Sequence, residues 1–367
     1  VTEAEVDAGD PGGEDDLPAD LAGAIRRLPK AELHLHLDGS LRPATAVELA
    51  RERGIAAPRG VAEMRRRLVA PMPCPDQARL LDAFALPVSL LQDGAALERV
   101  ASELVEDLAA EGTTYAEIRW APTLHMERGL ALRDGIGAVV RGARAAARTR
   151  GVTVRLIAVI LRTHDVERAV AMAHAASAFA GDGVAGIDLA GREAAAPDPL
   201  PFLPAFGIAR AAGLGVTCHA AEWGGPAQVR RALALEPDRI AHGAASAEDP
   251  ALVAELRARG ITLDLCPTSN RQAGLYPALA HHPLVRLHRA GVAVTLSTDD
   301  RTVSDLTLTR EIGRAIGRLG ATFPEIVAMT RTALRAAFLA DDEPERARLL
   351  AALEAFAAGE PLLAASR

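Results

Sequence analysis

The chain has 367 residues, 49% of them hydrophobic and 24% charged, with a formal net charge of −7 at neutral pH. That length suits one large α/β barrel or two ordinary domains, and the acidic balance, with no basic run longer than Arg65–Arg67, argues against a nucleic-acid surface. No apolar run approaches the roughly 18 residues of a membrane span, the first residues lack a basic-then-apolar leader pattern, and Cys74, Cys218 and Cys266 are too scattered for a disulfide framework or a thiolate zinc knuckle; a reducing, cytoplasmic setting is expected.

Residues 1–20 are acidic, hold Gly and Pro and have few large apolar side chains, so they are expected to form a disordered tail ahead of one domain over 21–367. Short β-branched and aliphatic runs then alternate with longer stretches of helical periodicity. The runs fall at 31–37, 115–122, 152–160, 184–191, 215–222, 238–244, 261–267 and 292–300, which makes eight. Eight strands alternating with helices predict a (β/α)8 TIM barrel. The connection over 38–114 is the longest and predicts extra helices after strand 1. The stretch 303–367 predicts helices at the C-terminus.

The first run, "AELHLHLDGS" (31–40), is the most informative. Side chains alternate across a strand, so His34, His36 and Asp38 share one face and Leu33, Leu35 and Leu37 the other. The leucines suit packing on outer helices, which turns the polar set toward the barrel axis, where branched apolar side chains are usual. Two imidazoles on one inward face are hard to satisfy without a metal. Other strand ends add candidates: His219 and Glu222 in "CHAAE", His242 in "AHGA", and Asp299 and Asp300 in "STDD". Active sites of such barrels lie at the C-terminal strand ends. Three histidines and an aspartate suit one zinc-like ion with room for water, and such an ion brings the water pKa to about 7. Glu222 is near enough to shuttle protons, and His242 to orient the water. Strand 4 reads "GIDLAG" and the sole lysine, Lys30, precedes strand 1, so no lysine is placed to bridge two ions and a single metal is favoured.

The segments "LPKAELHLHLDGSLRP", "YAEIRWAP", "IDLAG", "HAAE", "RIAHG", "CPTSN" and "STDD", in this order from about residue 28 to about 312, resemble the adenosine deaminase family, a zinc branch of the amidohydrolase barrels. The resemblance implies hydrolytic deamination of adenosine or 2′-deoxyadenosine to the inosine analogue and ammonia. It implies His34, His36, His219 and Asp299 as ligands of one zinc ion. Glu222 would protonate purine N1, and His242, with Asp299, would orient the attacking oxygen. Asp300 would bond N7, the Gly191 N–H would meet N3, and Asp38 would hold the ribose 5′-hydroxyl. Phe84 and Leu86 would line the pocket from a gating helix. The implied partner is a small purine nucleoside, with no nucleic acid and no membrane; monomer and homo-oligomer both stay open.

Other readings stand beside these. Asp300 suits a helix N-cap for "RTVSDLTLTREI", Asp38 suits a turn cap, and Gly191 suits an ordinary loop. Cys218 and Cys266 suit buried structural thiols. His125, His164, His174, His281, His282 and His288 are expected at the surface or behind the ligands, without a role. The family's usual "HAGE" is "HAAE" here, Arg192 follows "IDLAG" where an acid or proline is more familiar, and Trp223 is added at the mouth; these changes keep the substrate open. Alternatives are adenine, a 6-substituted purine or a futalosine-type nucleoside as substrate, a cyclic-amide or ester hydrolase on the same scaffold, or a zinc-containing nucleoside-binding barrel without turnover.

Overall fold

The computed structural model describes residues 17–194, 196–339 and 344–364. Most of the acidic tail expected over 1–20 lies outside the described residues, and the first helix, Ala19–Arg27, already begins within that span. Eight parallel strands follow in simple sequential order: β1 (Lys30–His36), β2 (Thr113–Trp120), β3 (Thr153–Leu161), β4 (Val184–Ala190), β5 (Gly215–Ala220), β6 (Arg239–His242), β7 (Thr262–Leu265) and β8 (Ala293–Leu296). Helices fill the connections, and the whole is a (β/α)8 barrel.

The last strands are shorter than the apolar runs. β8 leaves the ladder after Leu296, although the run continues to 300, and the chain then pairs backbone to backbone with β1 around Leu35 and Asp299. There Asp299 N–H donates to His34 O at 2.9 Å and His36 N–H to Asp299 O at 2.7 Å. The seam that closes the barrel is therefore made by residues expected to bind the metal. β1 also carries a bulge. Three steps from Glu32 to Leu35 answer two steps on β2, from Ala116 to Ile118. An extra residue bends the strand and re-aims the side chains beyond it.

Outside the barrel, Leu33, Leu35, Leu37, Ile118, Ile187 and Val216 are fully buried against the helix layer. Helix ends follow ordinary rules: Asp93 accepts from Ala96 N–H at the start of Gly94–Ala110, and Leu132–Arg150 ends at Gly151 with φ +70°, a conformation a side chain would strain. No single helix among the described residues is long and apolar enough to cross a membrane.

Inside, the lower barrel is not apolar. Arg239 is clamped between Glu117 and Asp264 (3.1 Å from Nε to Asp264 Oδ2), and Tyr115 and Thr295 donate to the same two carboxylates. The Arg239 guanidinium also lies 3.8 Å from the Phe338 ring centroid. The long connection after β1 holds four short helices, Pro43–Glu52, Val61–Leu68, Gln77–Leu81 and Ala85–Leu90, and brings Leu80, Leu81, Phe84 and Val88 over the opposite, C-terminal end of the strands. Helices Leu308–Leu319, Phe323–Ala336, Pro344–Gly359 and Pro361–Ala364 complete the C-terminus.

Candidate active site

At the C-terminal end of the strands, His34, His36, His219 and Asp299 each offer a ligand atom, all within 4.8 Å of one another. Asp299 Oδ1 lies 3.1 Å from His34 Nε2 and 3.2 Å from His36 Nε2. His34 is fully buried and neither of its ring nitrogens has a hydrogen-bond partner. Burial, and then the nearby Arg119 cation, hold its pKa well below the usual histidine value. A neutral imidazole that turns its lone pair, rather than its N–H, toward a carboxylate oxygen is repelled at this distance unless a cation lies between them. Three imidazoles and one carboxylate make a donor set that suits zinc, with a position left for water.

Supporting residues fix these side chains. His219 turns Nδ1 toward Asp188 Oδ2 at 2.8 Å, which leaves its other nitrogen for the cluster, and Asp188 is paired with Arg119 at 3.0 Å. A carboxylate behind a ligating imidazole sets the ring's tautomer and orientation. Ser269 donates to Asp299 Oδ2 at 2.6 Å. Three non-glycine residues at strand ends adopt left-handed backbone, Ala221 (φ +57°), His242 (φ +63°) and Asp299 (φ +65°). Such conformations cluster where a surrounding structure aims a functional group.

The cluster opens into a cavity of about 350 Å³ lined by His36, Asp38, Gly191, His219, Glu222, Asp299 and Asp300. That volume is in the range of small-molecule sites, about 300–1,000 Å³. Burial, then Asp299 and Glu193, raise the Glu222 carboxyl well above its ordinary value. Burial, then Asp299 and Asp38, do the same for Asp300. Asp300 Oδ1 and Asp38 Oδ1 are buried with no hydrogen-bond partner. Asp300 is not the N-cap of the following helix; Thr307 is. Asp38 makes no side-chain cap either. Gly39 must be glycine, because an added Cβ would stand 1.8 Å from Asp300 Oδ1. His242 is buried behind the cluster, with Nε2 at 3.8 Å from Asp299 Oδ2 and its pKa pushed down by burial to about 3.

Phe84 lines the cavity, whereas Leu86 does not. Leu86 faces the main core with Pro87 and Leu90, one side of the helix Ala85–Leu90, and the other side gives Ala85 and Val88 to the cavity wall. Among the histidines given no role, His125 and His282 are buried, and His282 stands behind His242 through Asn270. Asp188, Arg119, Glu193, Ser269 and Asn270 were not singled out by the sequence reading. The signal was present for two of them: Glu117 and Arg119 alternate within "YAEIRWAP", and Asp188 is a lone acid in an apolar strand. Glu193 is buried, with carboxylate oxygens accepting from the backbone N–H groups of Glu222 and Trp223, both at 3.4 Å, and nothing local in the sequence announces that.

The barrel and its candidate metal cluster suit a hydrolase of the amidohydrolase kind, and comparison with known proteins shows the class. The adenosine deaminase family model matches residues 29–355. An adenosine deaminase from Enterococcus faecalis is 37% identical over 320 residues, covering 87% of this chain and 94% of the relative. An amidohydrolase from Burkholderia ambifaria, solved with bound zinc, superposes with a TM-score of 0.85 at 30% identity, covering 95% of this chain and 96% of that one. The adenine deaminase of Arthrobacter aurescens superposes at 0.81 with 29% identity, covering 90% and 100%. The chain belongs to the adenosine deaminase family, hydrolases acting on C–N bonds of amidines.

Proposed function

We propose that the protein hydrolyses the 6-amino group of adenosine or 2′-deoxyadenosine, giving the inosine analogue and ammonia, with one zinc ion held by His34, His36, His219 and Asp299. The observation that carries this reading is the pair of buried, unpartnered carboxyl oxygens of Asp300 and Asp38 in one cavity with Glu222 and the ligand cluster. Buried polar atoms without partners are costly, and a purine nucleoside supplies complementary groups in one molecule.

Zinc, when bound, supplies a water ionised at neutral pH. Glu222, kept protonated by its surroundings, donates to N1 and draws electron density from C6, where the new C–O bond forms. Asp300, protonated for the same reason, donates to N7. His242 directs an N–H toward Asp299 and the reacting oxygen. The C6–N bond then breaks with proton transfer to the leaving nitrogen, so that water and the aminopurine become the 6-oxopurine and ammonia. Asp38 accepts from the 5′-hydroxyl, and Gly191, at φ +98° on the cavity rim, brings its N–H to N3. Leu80, Leu81, Phe84 and Val88 cover the base and exclude water.

Arg192 also lines the cavity and makes a 5′-phosphate the chief competitor for the sugar end, while Asp38 opposes it by charge. The test is a panel of adenosine, 2′-deoxyadenosine, adenine, AMP and a 6-substituted purine nucleoside on zinc-loaded protein, followed by ammonia release and ultraviolet shift. The expected result is turnover of the two nucleosides, abolished in Glu222→Ala. Preference for adenine or AMP would overturn the substrate assignment, and turnover that survives Glu222→Ala would overturn the proton-transfer role.

A further inference from the structure

Behind His242 runs a line of hydrogen bonds that starts at a backbone N–H, which fixes every donor and acceptor along it. Leu284 N–H donates to His282 Nδ1 at 3.2 Å. A peptide N–H only donates, so His282 Nδ1 carries a lone pair. His282 is buried beside Tyr276, their ring centroids 5.0 Å apart, and burial pushes its pKa down to about 3, so the neutral ring carries its proton on Nε2. That nitrogen lies 3.0 Å from Asn270 Oδ1 and donates to it. The Asn270 amide is thereby oriented, and its Nδ2 faces His242 Nδ1 at 3.1 Å. An amide nitrogen also only donates, so His242 Nδ1 is an acceptor and the ring proton is on Nε2. Nε2 has no hydrogen-bond partner and is the ring atom nearest Asp299.

We propose that Asn270 and His282 are positioning residues that lock His242 in its Nε2–H tautomer, making it a hydrogen-bond donor to the reacting oxygen and barring it from the metal. The catalytic half of this rests on the deaminase reading; the tautomer does not. His242, Cys266 and Asp299 form a second candidate metal group, and Nε2 is the His242 ring atom on the Asp299 side. An Nε2 that carries a proton offers no lone pair to an ion, so the relay removes that group from competition and leaves the cluster of His34, His36, His219 and Asp299 as the metal site. It also accounts for a buried asparagine and histidine in segments that touch no part of the cavity: Asn270 lies in the helix Pro267–Gln272 after β7, and His282 follows the short turn Leu279–His281.

The test is nitrogen NMR of the histidine rings in zinc-loaded protein labelled with ¹⁵N-histidine, His242 being assigned by its loss in His242→Gln. Wild type is expected to show a protonated Nε2 and a bare Nδ1. In Asn270→Asp the new carboxylate accepts from Nδ1, so the tautomer should reverse. The adenosine kcat should then fall on the order of 10²–10⁴-fold, the scale of a catalytic histidine held in the wrong tautomer. KM should stay within about threefold and zinc content should be unchanged, which a general packing defect would not produce. Asn270→Leu removes the constraint without imposing the opposite one, and should give mixed tautomers with a smaller loss of about tenfold, in the range of supporting-residue substitutions. A protonated Nδ1 in wild type, or an unchanged tautomer in Asn270→Leu, would overturn the relay. A wild type with the expected spectrum but no adenosine turnover would overturn the deaminase reading and leave the relay standing.

Discussion

The two ends of the barrel interior use the same residue types to opposite ends. In the lower half, Glu117, Arg239 and Asp264 are buried, yet each carboxylate is met by a guanidinium and by a hydroxyl from Tyr115 or Thr295, with Phe338 N–H as a further donor at 2.6 Å to Glu117. At the C-terminal rim, His34, His242, Asp38 and Asp300 are buried with polar atoms that no protein group meets. A charged group satisfied within the fold holds the barrel in shape. One left unsatisfied on the wall of a cavity is open to a ligand. Burial of charge alone therefore does not mark a functional site; a missing partner beside a cavity of ligand size does.

Substitutions at the two ends should therefore separate chemistry from stability. The largest effect is expected from Glu222→Gln, which keeps shape and removes the transferable proton: kcat should fall on the order of 10²–10⁴-fold with no loss of thermal stability, read by steady-state kinetics and a melting curve. At the lower end, Arg239→Met strands two buried carboxylates and should cost about 3–5 kcal/mol in urea unfolding while the folded fraction keeps its KM for adenosine. Between the two ends lies Glu32, which accepts from Thr298 N–H at 2.8 Å and whose pKa is raised by burial to about 7. The folded chain binds this proton more tightly than the unfolded chain, whose value is 4.5. Its stabilising contribution is thus complete below that value and is lost as pH climbs through about 7, so Glu32→Gln should flatten the stability profile across that window. The smallest effect is expected at Ala221, whose left-handed backbone suits glycine. Ala221→Gly should raise stability by about 1 kcal/mol in the same unfolding assay.

Much of the rim was legible in the sequence because its signal is local. Histidines two apart in a strand, and acids just beyond strand ends, stand out against apolar neighbours, and the order of the strands is enough to bring them together. Among the supporting residues, Asn270 and Glu193 were not legible for the converse reason. Asn270 matters through His282, twelve residues away across a turn, and Glu193 through the backbone of a different loop. The β1 bulge leaves no mark in the pattern of "AELHLHL", since no glycine or break in the alternation falls between Glu32 and Leu35. A helix was expected around Phe84, but which of its faces meets the cavity was not legible: Phe84, Ala85 and Val88 line it, while Leu86 turns to the core.

The central claim is that the unsatisfied rim holds one metal ion that serves adenosine hydrolysis. Its most direct test is to titrate metal-free protein with zinc while following adenosine deamination and bound zinc together. Activity is expected to rise from the metal-free baseline in proportion to bound zinc and to reach its plateau at one ion per chain. Activity that is full without metal, or that needs a second ion before it appears, would contradict it.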